Sequence, residues 1–124
     1  METKKEIVAI LGASNKIDRY AYKAQVSLTQ AGHKVIPVNP ALQEIEGVKC
    51  TQKLSDITES VDTVTVYVRA EISSPMKEAF LQLKPKRVIF NPGTENPELA
   101  KALQDNGIQP IEACTLVMLR TNQF

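Results

Sequence analysis

The stretch that most constrains this chain is Ile7-Val8-Ala9-Ile10-Leu11, an apolar run that stops at Gly12 and gives way to Ala13-Ser14-Asn15. A strand with one wet face alternates apolar and polar residues. A run apolar throughout needs cover on both faces, as in a parallel sheet flanked by helices. From about Arg19 to Ala31 the spacing turns helical, with Ala24, Leu28 and Ala31 on one face, and Gly32 offers the left-handed stop that a helix end favours. Strand, glycine-bearing loop and crossover helix form the opening unit of an α/β sheet.

The unit then recurs. His33-Lys34-Val35-Ile36-Pro37-Val38 reads as a second strand ended by Asn39-Pro40, because the residue before a proline is pushed out of helical geometry. Between Ala41 and Ser60 the pattern is weak, with a small extended piece at Gly47-Val48-Lys49-Cys50 and the start of a short helix at Ser55-Asp56-Ile57. Thr63 to Val68 is β-branched and alternating. Ser73-Ser74-Pro75 after it places a serine cap ahead of a first-turn proline, which predicts a helix start. Pro85 to Phe90 is the next strand, Asn91 to Pro97 a turn-rich loop and Glu98 to Leu103 a helix running toward Gly107. Ile108 to Ile111 closes the series as a strand, and Cys114 to Leu119 opens a final helix. The pattern predicts one domain over residues 1–124: an α/β, Rossmann-like, open and mainly parallel sheet of about five strands with helices on both faces.

Composition narrows the classes of function. With 43% hydrophobic and 23% charged residues, neither disorder nor a fibrous repeat is suggested. A formal net charge of +1, with lysines scattered along the chain, argues against nucleic-acid binding. The polar opening Met1 to Glu6 leads into an apolar run too short for a signal peptide or membrane span, so the expected location is the cytoplasm. Two distant cysteines, Cys50 and Cys114, and a single histidine, His33, suggest neither a disulfide framework nor a metal site. His33, directly after Gly32, is read as covering the end of the first helix, with no catalytic part.

In open parallel sheets the ligand lies outside the carboxyl ends of the strands, which selects the loops after Leu11, Val38, Val68 and Phe90. Gly12-Ala13-Ser14-Asn15 reads either as a diphosphate cradle at a positive helix end or as a simple tight turn. It lacks the full G-x-G-x-x-G pattern, since Ala13 and Ser14 replace a glycine. Arg19, Tyr20 and Lys23 offer charge or stacking, or are ordinary solvated helix residues. Pro37-Val38-Asn39-Pro40 stands where an NAD-binding domain carries an acidic residue for the ribose, and Asn39 suits a phosphorylated ribose better, although Asn-Pro is also a turn signal. The polar loop Asn91 to Asn96 is either ligand-serving or turn alone, and Cys114 beside Leu116, Val117 and Met118 is either a buried inert thiol or a reactive one.

Taken together, Val8 to Ser14, Gly32 to Pro40, Val88 to Gly93 and Cys114 resemble the stand-alone CoA-binding protein family, itself similar to the N-terminal domain of the succinyl-CoA synthetase α subunit. The resemblance covers nearly the whole chain. It implies that Gly12, Ala13, Ser14 and Asn15 hold the CoA diphosphate, while Arg19 and Tyr20 join the candidate site only on their place at the start of the helix. Pro37, Val38, Asn39 and Pro40 would flank the adenosine, and Tyr67, Val68 and Arg69 with Pro92, Gly93 and Thr94 would line the pantetheine path.

The expected function is therefore binding of CoA or an acyl-CoA, as a carrier, sensor or subunit. No catalytic residue is assigned, because no nucleophile–base pair or paired carboxylates fall in the presumed cleft. A mixed disulfide between Cys114 and the CoA thiol is a further option. The alternatives are a small NADP- or NAD-dependent oxidoreductase, and a ligand-free protein-interaction domain. A protein partner or homo-oligomer is left open.

Overall fold

The computed structural model describes residues 4–124, so the first three residues of the polar opening lie outside the described part. Five strands form one sheet: β1 (Ile7–Leu11), β2 (Lys34–Val38), β5 (Thr63–Val66), β6 (Arg87–Phe90) and β7 (Gln109–Glu112). Their order is β2-β1-β5-β6-β7 and every pairing is parallel. The helices are α1 (Tyr20–Gln30), α2 (Ala70–Ser73), α3 (Lys77–Leu83), α4 (Pro97–Asp105) and α5 (Thr115–Arg120). This is the Rossmann-like α/β fold that the alternation of elements predicts. No helix among the described residues is long and apolar enough to cross a membrane.

Period-two alternation sorts the strands onto two cores. Ala9 and Leu11 join Ile36, Val38, Val64, Val66, Val88 and Phe90 on one face, covered by Phe80 of α3 and by Leu99 and Leu103 of α4. Val8, Ile10 and Val35 point the other way, against Ala21 and Leu28 of α1 and Leu119 of α5. β5 shows the exception. Its polar alternates Thr63 and Thr65 are fully buried on the second face, not wet, so their hydroxyls must find partners inside.

The weak stretch holds a hairpin, β3 (Glu44–Ile45) and β4 (Val48–Lys49), turned by Glu46 and Gly47 at positive φ, and a 3₁₀ turn at Leu54–Asp56. Boundaries shift elsewhere. β5 ends at Val66, so Tyr67 and Val68 belong to the loop beyond the strand. The predicted start at Ser73-Ser74-Pro75 is corrected: the chain is already helical at Ala70. Pro75, lacking an N–H, marks a 3₁₀ step, Ser74–Met76, between α2 and α3. Ser73 makes no cap, and its buried hydroxyl accepts from Asn96 Nδ2 at 2.9 Å. Asn96, inside the loop that the sequence marks as turn-rich, caps α4, its Oδ1 accepting the N–H of Leu99 with Pro97 at the first turn.

Candidate functional site

β1 is followed in sequence by β2 on one side, and the chain then crosses to β5 on the other. The order therefore reverses between β1 and β5, opening a crevice at their carboxyl ends. The loop after β1 enters it through Gly12, whose φ is +87°. A Cβ there would stand 2.8 Å from Val68 Cγ1 and 3.1 Å from the Tyr67 carbonyl carbon, so only glycine lets the two loops meet.

Gly12, Ser14, Lys16, Arg19, Tyr20, Ala21, Tyr67, Pro92 and Thr94 line a cavity of about 310 Å³ in this crevice. Tyr20, Tyr67 and Pro92 also wall a second cavity of about 380 Å³, completed by Asn91, Cys114, Leu116, Val117 and Arg120. The two are neighbours with shared walls, one bearing Lys16 and Arg19, the other mainly apolar. A larger depression of about 700 Å³ lies between α1 and α5, but none of the loops at the strand ends reaches it. Volume alone would select it; the topology and the converging polar groups favour the crevice.

The amides available to an anion differ from those expected of the loop. The N–H groups of Gly12 and Ala13 both donate to Val38 O at 3.2 Å, so they brace β2 and are not free for a phosphate. Ser14 Oγ accepts from the Lys16 N–H at 3.1 Å, which leaves its own proton to donate. The cap of α1, Arg19, makes no side-chain bond to the first turn, so no capping side chain occupies that helix end, where Tyr20 and Ala21 line the cavity. Lys16, not singled out from the sequence, supplies a second cation; its place two residues after Ser14 was the available signal. Asn15 is exposed and lines neither cavity. Lys23 turns its ammonium over the Tyr20 ring at 5.4 Å, and it lines the α1–α5 depression instead.

The loop after β2 contributes less. Pro37 and Val38 are buried strand residues and border neither cavity. Asn39 holds the loops together: Nδ2 donates to Ala13 O at 2.9 Å, and Oδ1 accepts from Ala41 and Leu42 N–H groups at 2.7 and 2.9 Å. Its turn role is thus built in, and Pro40 alone of the four is exposed.

On the other side Asn91 is a buried hub. Nδ2 donates to Thr65 Oγ1 at 2.7 Å and to Val66 O at 2.9 Å, and Oδ1 accepts the Thr115 N–H. Its carbonyl receives both the N–H and the hydroxyl of Thr94. Thr65 and Thr115 bond each other at 2.8 Å. Beside this pair the Tyr67 hydroxyl is buried without a hydrogen-bond partner. Burial pushes the Tyr67 phenol up to about 12. The two threonine hydroxyls pull the other way, but neither reaches it in bonding geometry, so the phenol keeps a proton that no acceptor uses, on a residue that lines both cavities. Val68 packs into the core and Arg69 is exposed at the start of α2, outside both cavities. The Gly93 N–H is spent on the Glu95 carboxylate at 3.0 Å. Among the described residues no group of three or more His, Cys, Asp or Glu side chains is placed to hold a metal ion.

A solved crystal structure of an uncharacterized protein is 43% identical to this chain, with a TM-score of 0.93 over 98% of this chain and 100% of its own. The Bacillus subtilis protein YneT is 31% identical over 100 residues, 81% of this chain and 74% of YneT. The ADP-forming acetate–CoA ligase of Methanocaldococcus jannaschii is 33% identical over 61 residues, which is 49% of this chain and 9% of the ligase. The model of a family described as a CoA binding domain matches residues 6–120, a span that takes in every wall of both cavities. The chain belongs to this CoA binding domain family.

Proposed function

We propose that this chain is a coenzyme A-binding module that holds its ligand across the paired cavities at the β1–β5 crevice. The carrying observation is the division of the crevice. The side with Lys16, Arg19, the Ser14 hydroxyl and the open end of α1 suits a diphosphate. The adjoining apolar side, entered between Tyr67 and Pro92, suits the pantetheine arm and its thiol. The adenosine would lie outside the buried strand end, with Pro40 and the unused N–H of Asn39 as its nearest neighbours on that loop. The family match supports coenzyme A over the NADP or NAD alternative.

In this reading the chain carries, senses or presents CoA or an acyl-CoA and performs no chemistry of its own. The test is thermal stabilisation and calorimetry with CoA, acetyl-CoA, NAD, NADP and ATP side by side. A ligand present at a hundred times its dissociation constant raises stability by about 2.7 kcal/mol if it binds only the folded state. CoA is expected to give that gain, and a preference for NADP or NAD would replace this reading with the oxidoreductase.

A further inference from the structure

At the opposite end of the sheet from the crevice, the binding reading makes no use of a buried histidine. His33 is 5% exposed, and its Nδ1 accepts the backbone N–H of Glu6 at 3.0 Å. A backbone N–H only donates, so this ring nitrogen carries no proton. The same imidazole packs against the ring of Phe124, centroids 5.0 Å apart and planes tilted by 55°. Arg87 lies over that phenyl ring at 4.5 Å. Arg87 is itself fixed, with Nη2 on Glu6 Oε2 at 3.2 Å and Nε on Thr63 Oγ1 at 2.8 Å. Thr63 in turn donates to Glu6 Oε1 at 2.6 Å.

Phe124 belongs to a segment continuous with α5. Asn122 N–H donates to Leu119 O and Gln123 N–H to Met118 O, so residues 121–124 fold back on the helix. Leu119 and Phe124 pack on the same core as Val8 and Val35.

We infer that His33 is an acid-sensitive latch: neutral, it clasps Phe124 and so fixes the far end of α5 against β1, and its protonation lets residues 121–124 go. A proton on Nδ1 would meet the Glu6 N–H head-on and abolish that bond. The charged groups acting on the ring are Glu6, Lys5 and Arg87, two cations against one carboxylate that Arg87 and Thr63 already occupy. Burial is the largest influence on the imidazole and lowers its pKa. Glu6 opposes this, and Lys5 and Arg87 add to it, so release falls on the acid side of the ordinary histidine range.

The test is a pH titration by NMR of the ligand-free protein, so it does not depend on what the crevice binds. The imidazole resonances, the Phe124 ring resonances and the exchange protection of the Glu6 amide are followed together. They are expected to change with one shared midpoint, with Glu6 protection falling by roughly tenfold. In His33→Gln, which keeps an acceptor and cannot titrate, the Phe124 signals should stay flat over the same range. A Phe124 environment that is constant while His33 titrates, or that changes with acid equally in His33→Gln, overturns the latch. If His33→Gln does not fold, the shared or separate midpoints in the wild-type protein decide the matter alone.

Discussion

Asn91 Oδ1 accepts the N–H of Thr115 at 2.9 Å, tying the loop after β6 to the first turn of α5 from inside the protein. This amide joins the segments that carry the two walls of the apolar cavity, Pro92 on one side and Leu116 and Val117 on the other. The residue is chosen by the strand beside it. Buried Thr65 needs a partner on the α5 face, and a side-chain amide supplies donors to Thr65 and Val66 as well as an acceptor for Thr115.

Replacing Asn91 with leucine should therefore be severe. It leaves the Thr115 N–H and the Val66 carbonyl buried without the bonds Asn91 gave them, at a cost of about 3 kcal/mol. Chemical denaturation would read this as a lower midpoint with an unchanged slope, and a loss within 0.5 kcal/mol would remove the hub from the account.

Two glycines with similar backbone angles should respond differently to alanine. Gly12 (φ +87°) has Val68 and the Tyr67 backbone where a Cβ would go, whereas Gly107 (φ +80°) has open space. Left-handed backbone alone costs an alanine about 1–2 kcal/mol, the expectation for Gly107→Ala. Gly12→Ala must also push apart the loops after β1 and β5, so it is expected to cost about 1–3 kcal/mol more and to weaken CoA binding. Equal effects in a paired denaturation experiment would show that the crevice is looser than described.

The acid limb of stability should depend on Asp62. Its Oδ2 accepts the Ile7 N–H at 2.8 Å and Oδ1 pairs with Lys86 at 3.1 Å. The Ile7 hydrogen bond, more than Lys86, holds this carboxyl below the usual carboxylate range, against an opposing push from burial. Because the folded pKa is the lower one, the contribution is complete above the unfolded pKa and is lost as pH falls through the folded value. Asp62→Asn keeps an acceptor for Ile7 and loses the charge. Its stability should fall less steeply with acid than that of the wild type, and parallel curves would contradict the assignment.

The orientation of the ligand can be read chemically. With the thiol end of CoA in the apolar cavity, diamide oxidation should join CoA to Cys114 as a mixed disulfide, each thiol giving up one hydrogen to the diamide. Cys50 is 7% exposed and burial pushes its thiol up, so it should stay unmodified. Peptide mass spectrometry would detect the adduct, and CoA on Cys50 alone, or on neither cysteine at saturating CoA, would reverse or exclude the proposed orientation.

The sheet was legible because unbroken apolar runs such as Ile7–Leu11, joined by helix-spaced segments, permit few alternatives. The walls of the crevice were legible as loops at strand ends, which is how Ser14, Arg19, Tyr20, Tyr67, Pro92 and Thr94 come together in one cavity. What escaped were roles set by tertiary partners. Thr63 and Thr65 alternate like solvent-facing residues and are buried, Gly12 and Ala13 give their amides to Val38, and Asn39 spends its side chain on its own loop. His33 shows the same limit. Its backbone N–H does close α1, donating to Leu28 O, but its side chain turns away from the helix end to Glu6 and Phe124. Nothing in a local window tells a polar group which distant atom will satisfy it.

In the proposed function Lys16 and Arg19 mark the diphosphate side of a CoA site. Calorimetric titration of CoA into the wild-type protein and into a Lys16→Ala, Arg19→Ala double variant tests it most directly, since both side chains are exposed and their loss should leave the fold intact. Saturable CoA binding by the wild type is expected, with affinity weakened by about 10- to 100-fold in the variant, the scale of one or two lost charge-assisted hydrogen bonds. Equal affinity in both proteins would place CoA elsewhere on the chain, and no binding to either would contradict the proposed function itself.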